Sequence, residues 1–240
     1  MPNRAIIEQL QKQILSLEGH RQQPGEQARL GLEQIEDAFP DKVFPRAAVH
    51  EWISESPTDA SCTNGFISVI LGKLMLKGGY SLWIGSGCTI FPPALKMFGI
   101  EPEQILFIDA TKAKDALWAV EEALKCNALT SVVGEIGELS FNDSRRLQLA
   151  VEQSRVTGLI HRHMPKSLNA VACVSRWKIT PAPGFGTFPG VGFPGWKVQL
   201  LKVRNGKPGE WLMQWSPAGL TIMEQQKNST QESYNQNQVA

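Results

Sequence analysis

No apolar run in this 240-residue sequence is continuous enough to cross a membrane. The longest, from Phe66 to Phe91, is broken by Lys73, Lys77 and several glycines, whereas a spanning helix needs about 20 consecutive apolar residues. The opening MPNRAIIEQLQKQIL is polar and amphipathic and lacks the apolar centre of a secretory signal. The expectation is a cytoplasmic protein with no membrane partner. A surplus of either charge is missing too: 24 basic and 23 acidic side chains leave a net +1, which excludes a strongly basic tail or an acidic solvating chain. Cysteine is scarce, and Cys62, Cys88, Cys126 and Cys173 contain no CxxC pair. Neither a disulfide framework nor a zinc knuckle is expected, and buried free thiols are the simpler reading. His161 and His163 are the one close histidine pair. In a strand they would share a face, as metal ligands do, but no third ligand lies near them in sequence and a site needs three or four. No metal is expected.

Phosphate chemistry is absent where an α/β nucleotide-binding protein would carry it. The motif GxxxxGK[ST] works because backbone amides wrap the phosphates, Lys neutralises them and Ser or Thr holds magnesium. After a first strand near 47–53 the chain instead reads SESPTDASCTNGF, with no glycine before Gly65 and no lysine before Lys73. Asn64, a good N-cap, opens the expected helix over 64–77, so Asn64 and Gly65 stand roughly where the Lys-Thr pair would. Glu55 and Asp59 would face the phosphates, and like charges at about 4 Å repel by a few kcal/mol. Glu135, ending the strand-like run SVVGEI, sits near the place of a magnesium-binding acid. Asn64, Gly65 and Glu135 are therefore candidates for no more than a degenerate nucleotide site. There is no GxSxG and no HExxH, and GFGTFPG neither follows a βα strand nor opens a helix. Neither a catalytic residue nor a cofactor is expected, and the chain does not read as an enzyme.

What the chain has is a core: 42% of residues are apolar and 20% charged, the composition of a globular domain. Strand-like runs at 81–85, 105–110, 131–136 and 156–161 alternate with helical spacing near 91–98, 111–126 and 142–154, the last opened by Asn142. Short continuous apolar strands between helices indicate an α/β fold with a mostly parallel central sheet covered by helices on both faces. After residue 168 the helical spacing stops, and 170–179, 196–203 and 210–216 read as strands, the last two joined as an antiparallel hairpin through Asn205-Gly206. An amphipathic helix over 4–17 and a linker make up residues 1–46, the core spans 47–216, and 217–240 is expected to be a disordered tail, most clearly from 224 onward.

Charge is uneven along the chain: residues 99–140 carry 3 basic and 8 acidic groups, and residues 141–178 carry 7 and 2. Arg145 and Arg146 fall in the first turn of a helix, where the helix dipole disfavours cations. Arg162 and Lys166 follow at a strand end, then Arg176, Trp177 and Lys178. Arginines interleaved with an aromatic suit a nucleic-acid backbone and stacked bases. The alternative is a rim of internal pairs with the acidic 99–140 segment. Of seven tryptophans, Trp52, Trp83 and Trp118 read as core. Trp211 and Trp215 alternate onto one face with Met213, as a partner surface or as cover for the end of the sheet.

Several strings occur in an order that matches a known family: DALWAVEEAL (115–124), SRRLQLA (144–150), SRW (175–177) and RNGKPGEWL (204–212). They resemble the ImuA family, RecA-like accessory proteins of SOS-induced mutagenic translesion synthesis that are also related to the division inhibitor SulA, and the likeness covers about 47–216. The resemblance implies a RecA-like core and a non-catalytic accessory or scaffold role in the DNA-damage response. It implies as partners an ImuB-type inactive Y-family polymerase-like protein and an error-prone C-family DNA polymerase, with RecA and single-stranded DNA as further ones. A weak RecA-type ATPase binding single-stranded DNA and a SulA-like cell-division inhibitor are the alternatives open at this point.

Overall fold

The computed structural model describes residues 29–86, 90–184 and 192–223. The helix expected over 4–17, Cys88, the aromatic residues Phe185 and Phe188, and the tail from 224 lie outside the described residues.

Val49–Ser54 (β1) is buried at every position, which requires a strand covered on both faces. It belongs to a parallel group with Tyr80–Gly85 (β2), Ile105–Asp109 (β3), Leu129–Ile136 (β4), Thr157–His163 (β5) and Ser175–Ala182 (β6), paired with β5 on one side and β6 on the other. Gly195–Val203 (β7), Gly209–Ser216 (β8) and Gly219–Ile222 (β9) extend the sheet antiparallel, giving the order β3-β2-β4-β5-β1-β6-β7-β8-β9. The expected architecture is thus present: a mostly parallel α/β sheet with an antiparallel group at its C-terminal end.

Alternation within each strand sends side chains to two separate cores. On one face Trp52, Trp83, Val133, Leu159 and Trp177 pack under helix Pro57–Leu74 (α1). On the other, Val49, Ile84, Val132, Ile136 and Ile160 pack under Ala113–Leu124 (α2) and Phe141–Ser154 (α3). Trp52 and Trp177 are neighbours across β1 and β6, and their rings stack 6.1 Å apart.

The helix starts differ from the expected ones. α1 begins at Pro57, because Ser56 caps it by accepting the Asp59 N–H at 3.1 Å. Ser-Pro-x-Asp is a complete start signal: a capping hydroxyl, a proline in the first turn and an acid near the positive helix end. Asn64 is therefore two turns inside the helix, not its N-cap. α3 likewise opens on Ser140 rather than Asn142. Trp118, expected in the core, is 65% exposed, since the buried stripe of α2 is Ala116, Val120, Ala123 and Leu124. Among the described residues Cys173 alone of the free thiols is buried, and burial pushes it up to about 12; Cys126 is exposed.

The chain beyond the expected core limits is ordered as well. Past Ser216 it forms β9, correcting the tail expected from 217. Before Ala47, the expected linker buries Leu32, Ile35, Phe39 and Phe44 against the α1 face. Glu36 closes that segment: its buried carboxylate accepts from the amides of Leu30 (2.8 Å), Gly31 (3.0 Å), Leu32 (3.2 Å) and Phe44 (3.3 Å). In Glu36→Gln one acceptor oxygen becomes a donor facing amide N–H groups. Chemical denaturation should register a loss of about 2 kcal/mol; an unchanged midpoint would show that packing alone holds residues 30–44.

Candidate functional site

The connection from β1 to α1 is Glu55 and Ser56 alone. A phosphate-wrapping loop needs several backbone amides turned inward over the ligand, and two residues cannot supply them. Gly65 has another use: a Cβ there would come within 2.9 Å of the Trp196 ring, so the missing side chain lets α1 lie close against β7. Glu55 is held by Lys178 at 2.6 Å.

Asn64 and Glu135 do meet, as expected of neighbours at a nucleotide corner, but in a different chemistry. Glu135 on β4 is the register partner of His161 on β5, and both point to the α1 face. Asn64 reaches down from α1 and bridges them. Its Nδ2 donates to Glu135 Oε1 at 3.3 Å, and its Oδ1 lies 2.7 Å from His161 Nδ1. Trp83 Nε1 donates to the same Oε1 at 2.8 Å. With the amide donating to the carboxylate, Asn64 Oδ1 accepts from His161 Nδ1–H, and His161 Nε2 accepts from the Ser54 hydroxyl at 2.9 Å. His161 is thereby neutral. Burial, reinforced by the neighbouring His163 and opposed by Glu135, lowers it to about 3. His163, two residues on, stacks on His161 at 3.9 Å and places Nε2 at 3.5 Å from Glu135 Oε2. Gly85 lies opposite Glu135 because a Cβ there would come within 3.0 Å of the Glu135 side chain. Above this cluster opens a cavity of about 500 Å³ lined by Asn64, Gly65, Phe91, Phe98, His163 and Met164.

The opposite face of the same strand ends carries the second polar centre. Arg162 is fully buried. Its Nη1 donates to Glu51 (2.8 Å) and Asn169 Oδ1 (3.2 Å), its Nη2 to Glu138 and the Ser167 carbonyl (both 3.3 Å), and its Nε to the Gly137 carbonyl (3.3 Å). A guanidinium has five N–H donors, and each has an acceptor. Arg176 donates to Glu51 at 2.6 Å and to the Asn169 carbonyl at 2.6 Å. Trp177 is buried and donates to the Ser175 hydroxyl at 2.7 Å. Arg162, Arg176 and Trp177, expected on a binding surface, are therefore structural groups. Buried Glu51 draws the two arginines inward, an acid that charge counting along the chain did not pair with them.

No protein-family model matches the sequence. The ImuA proteins of Caulobacter vibrioides strains NA1000 and CB 15 do: each is 30% identical over 204 residues, covering 79% of this chain and 83% of theirs. The chain belongs to the ImuA family.

The remaining surface candidates of this ImuA-family protein divide cleanly. Arg146 turns to Glu121 on α2, whose carboxyl it holds below the usual range, and to Asp143. This is the internal pairing with the acidic 99–140 segment. Arg145 and Lys166 are exposed, with no ion pair among the described residues. Trp211 and Trp215 are half-buried against the α1-side core, Trp215 packing on Phe98 at 5.0 Å, so they cover the end of the sheet. The exposed aromatic that sequence reasoning missed as a surface group is Trp118; its offset from the Ala116–Val120–Leu124 stripe was the available signal. Among the described residues no helix is long and apolar enough to cross a membrane.

Proposed function

We propose that this protein is a non-catalytic accessory or scaffold subunit of a translesion-synthesis complex in the SOS DNA-damage response. Family membership supports involvement in the mutagenic damage response. The observation that carries the non-catalytic part is the two-residue link between β1 and α1, with Ser56 spent on capping Asp59 and with Asn64 and Glu135 engaged by His161 and Trp83. A RecA-like sheet deprived of its phosphate loop retains its surfaces, and exposed Trp118, Arg145 and Lys166 offer contacts to a protein partner or to DNA. The partners are an ImuB-type inactive Y-family polymerase-like protein and an error-prone C-family polymerase, with RecA and single-stranded DNA as further ligands.

Co-expression with the ImuB-type protein should yield a stable complex on affinity purification and size exclusion. Calorimetry with ATP and Mg²⁺ should show no heat of binding at micromolar nucleotide. Failure to co-purify removes the scaffold role, while micromolar ATP affinity lost in Glu135→Ala reverses the choice in favour of a weak ATPase.

A further inference from the structure

The Glu135–His161–His163 cluster has a property that the scaffold role does not use. Ligand atoms of the three side chains all lie within 4.8 Å of one another. The sequence offered only the histidine pair; the parallel register of β4 and β5 supplies the third donor by placing Glu135 directly beside His161. We propose that these three residues form a site for a divalent transition-metal ion of the zinc class, at the floor of the cavity beside α1.

The geometry is close to what such an ion needs. Two donors bound to one tetrahedral zinc at about 2.0–2.1 Å are about 3.4 Å apart, and His163 Nε2 stands 3.5 Å from Glu135 Oε2. That imidazole nitrogen is buried and makes no hydrogen bond among the described residues, so a ligand there would supply one. Trp83 and Asn64 donate to Oε1 of Glu135, which orients the carboxylate and turns Oε2 toward His163. Outer-shell donors of this kind fix metal ligands in place. His161 Nδ1 is the nitrogen that Asn64 bridges to Glu135. For Nδ1 to bind metal, its proton moves to Nε2, which then donates to Ser54. A hydroxyl both donates and accepts, so Ser54 satisfies either tautomer. Two imidazoles and a single carboxylate select zinc or cobalt over magnesium or calcium, which need mostly oxygen donors. His163 and Asn64 line the cavity, leaving the fourth position open to water or a small ligand.

The test uses the full chain, stripped with a chelator and titrated with Zn²⁺ alone by calorimetry, then with Co²⁺ followed by visible absorption. The expected result is about one ion per chain at micromolar affinity or tighter, with a four-coordinate Co²⁺ spectrum. Outer-shell changes at metal sites already weaken binding by about 10–100-fold, so loss of a ligand in His163→Ala should weaken it by about 100-fold or more. His163 is partly exposed, so the metal-free variant should melt with the native protein. Glu135→Gln gives a second arm, keeping an acceptor for Trp83. Absence of binding overturns the proposal. So does binding that survives both substitutions, or binding lost in Cys126→Ser instead. No nucleotide or partner protein is present, so the outcome is independent of the scaffold role.

Discussion

Replacing Arg162 by methionine should lower the unfolding free energy by about 3 kcal/mol, because it takes one of two cations from a buried carboxylate and leaves the other acceptors of the guanidinium without their donor. Glu51 is fully buried and is held by Arg162 at 2.8 Å and Arg176 at 2.6 Å. The substitution also strips a donor from the carbonyls of Gly137 and Ser167 and from Asn169, the groups that tie the turns after β4 and β5 together. Removing the acid as well, in Glu51→Leu with Arg162→Met, should recover part of the loss, since a pair exchanged for apolar groups of similar volume is often close to neutral. The exposed Lys178–Glu55 pair is the internal control: Lys178→Ala should change stability by less than about 1 kcal/mol. Urea denaturation of the four proteins decides it. A loss below about 1 kcal/mol in Arg162→Met would mean that the guanidinium is solvated and not structural.

Acid should destabilise the protein well above the carboxylate range. Two histidines are buried neutral. His50 lies between the Ser175 hydroxyl (2.6 Å) and the Pro45 carbonyl (2.7 Å), and burial lowers it to about 4 despite the carbonyl's opposite pull. His161, in the candidate metal cluster, is lowered to about 3. Free imidazole takes its proton near pH 6.5. Above that value neither the folded nor the unfolded chain protonates these rings, and the stability associated with them is complete. As the pH falls below 6.5 the unfolded chain binds protons that the folded one refuses. Stability then drops by about 1.4 kcal/mol per pH unit for each histidine, until the folded values are reached. At pH 5 the two together amount to about 4 kcal/mol. The lowered carboxylates Glu121 and Glu210 lose their contribution only at still lower pH. Melting temperatures between pH 7.5 and 5 should fall steadily below 6.5, and the ring protons of both histidines should not titrate in that range. Either ring titrating near its ordinary value would refute the prediction.

Much of the architecture could be read from the chain because each parallel strand is an uninterrupted apolar run between turn signals, and periods of two and 3.6 are local properties. The weakness of the phosphate corner was equally local: no glycine-rich stretch and no lysine precede α1. The helix start was misplaced because Asn64 was read as a cap while Ser56-Pro57, a stronger signal, went unused. The surface reading of Arg162, Arg176 and Trp177 failed for a different reason. Glu51 is more than a hundred positions from Arg162 in the chain, and only the pairing of β1 with β5 and β6 brings the three charges together.

Residue order by itself determined the strands, the two-faced burial of the sheet and the lack of a GxxxxGK[ST] motif before α1, since each depends on neighbours within a few positions. Only the tertiary structure decided which charges face solvent and which side chains share a centre. Strand order and register place Glu51 beside Arg176, and Glu135 beside His161 and His163. Those placements set the burial, charge state and ligand geometry on which the chemistry of these groups depends.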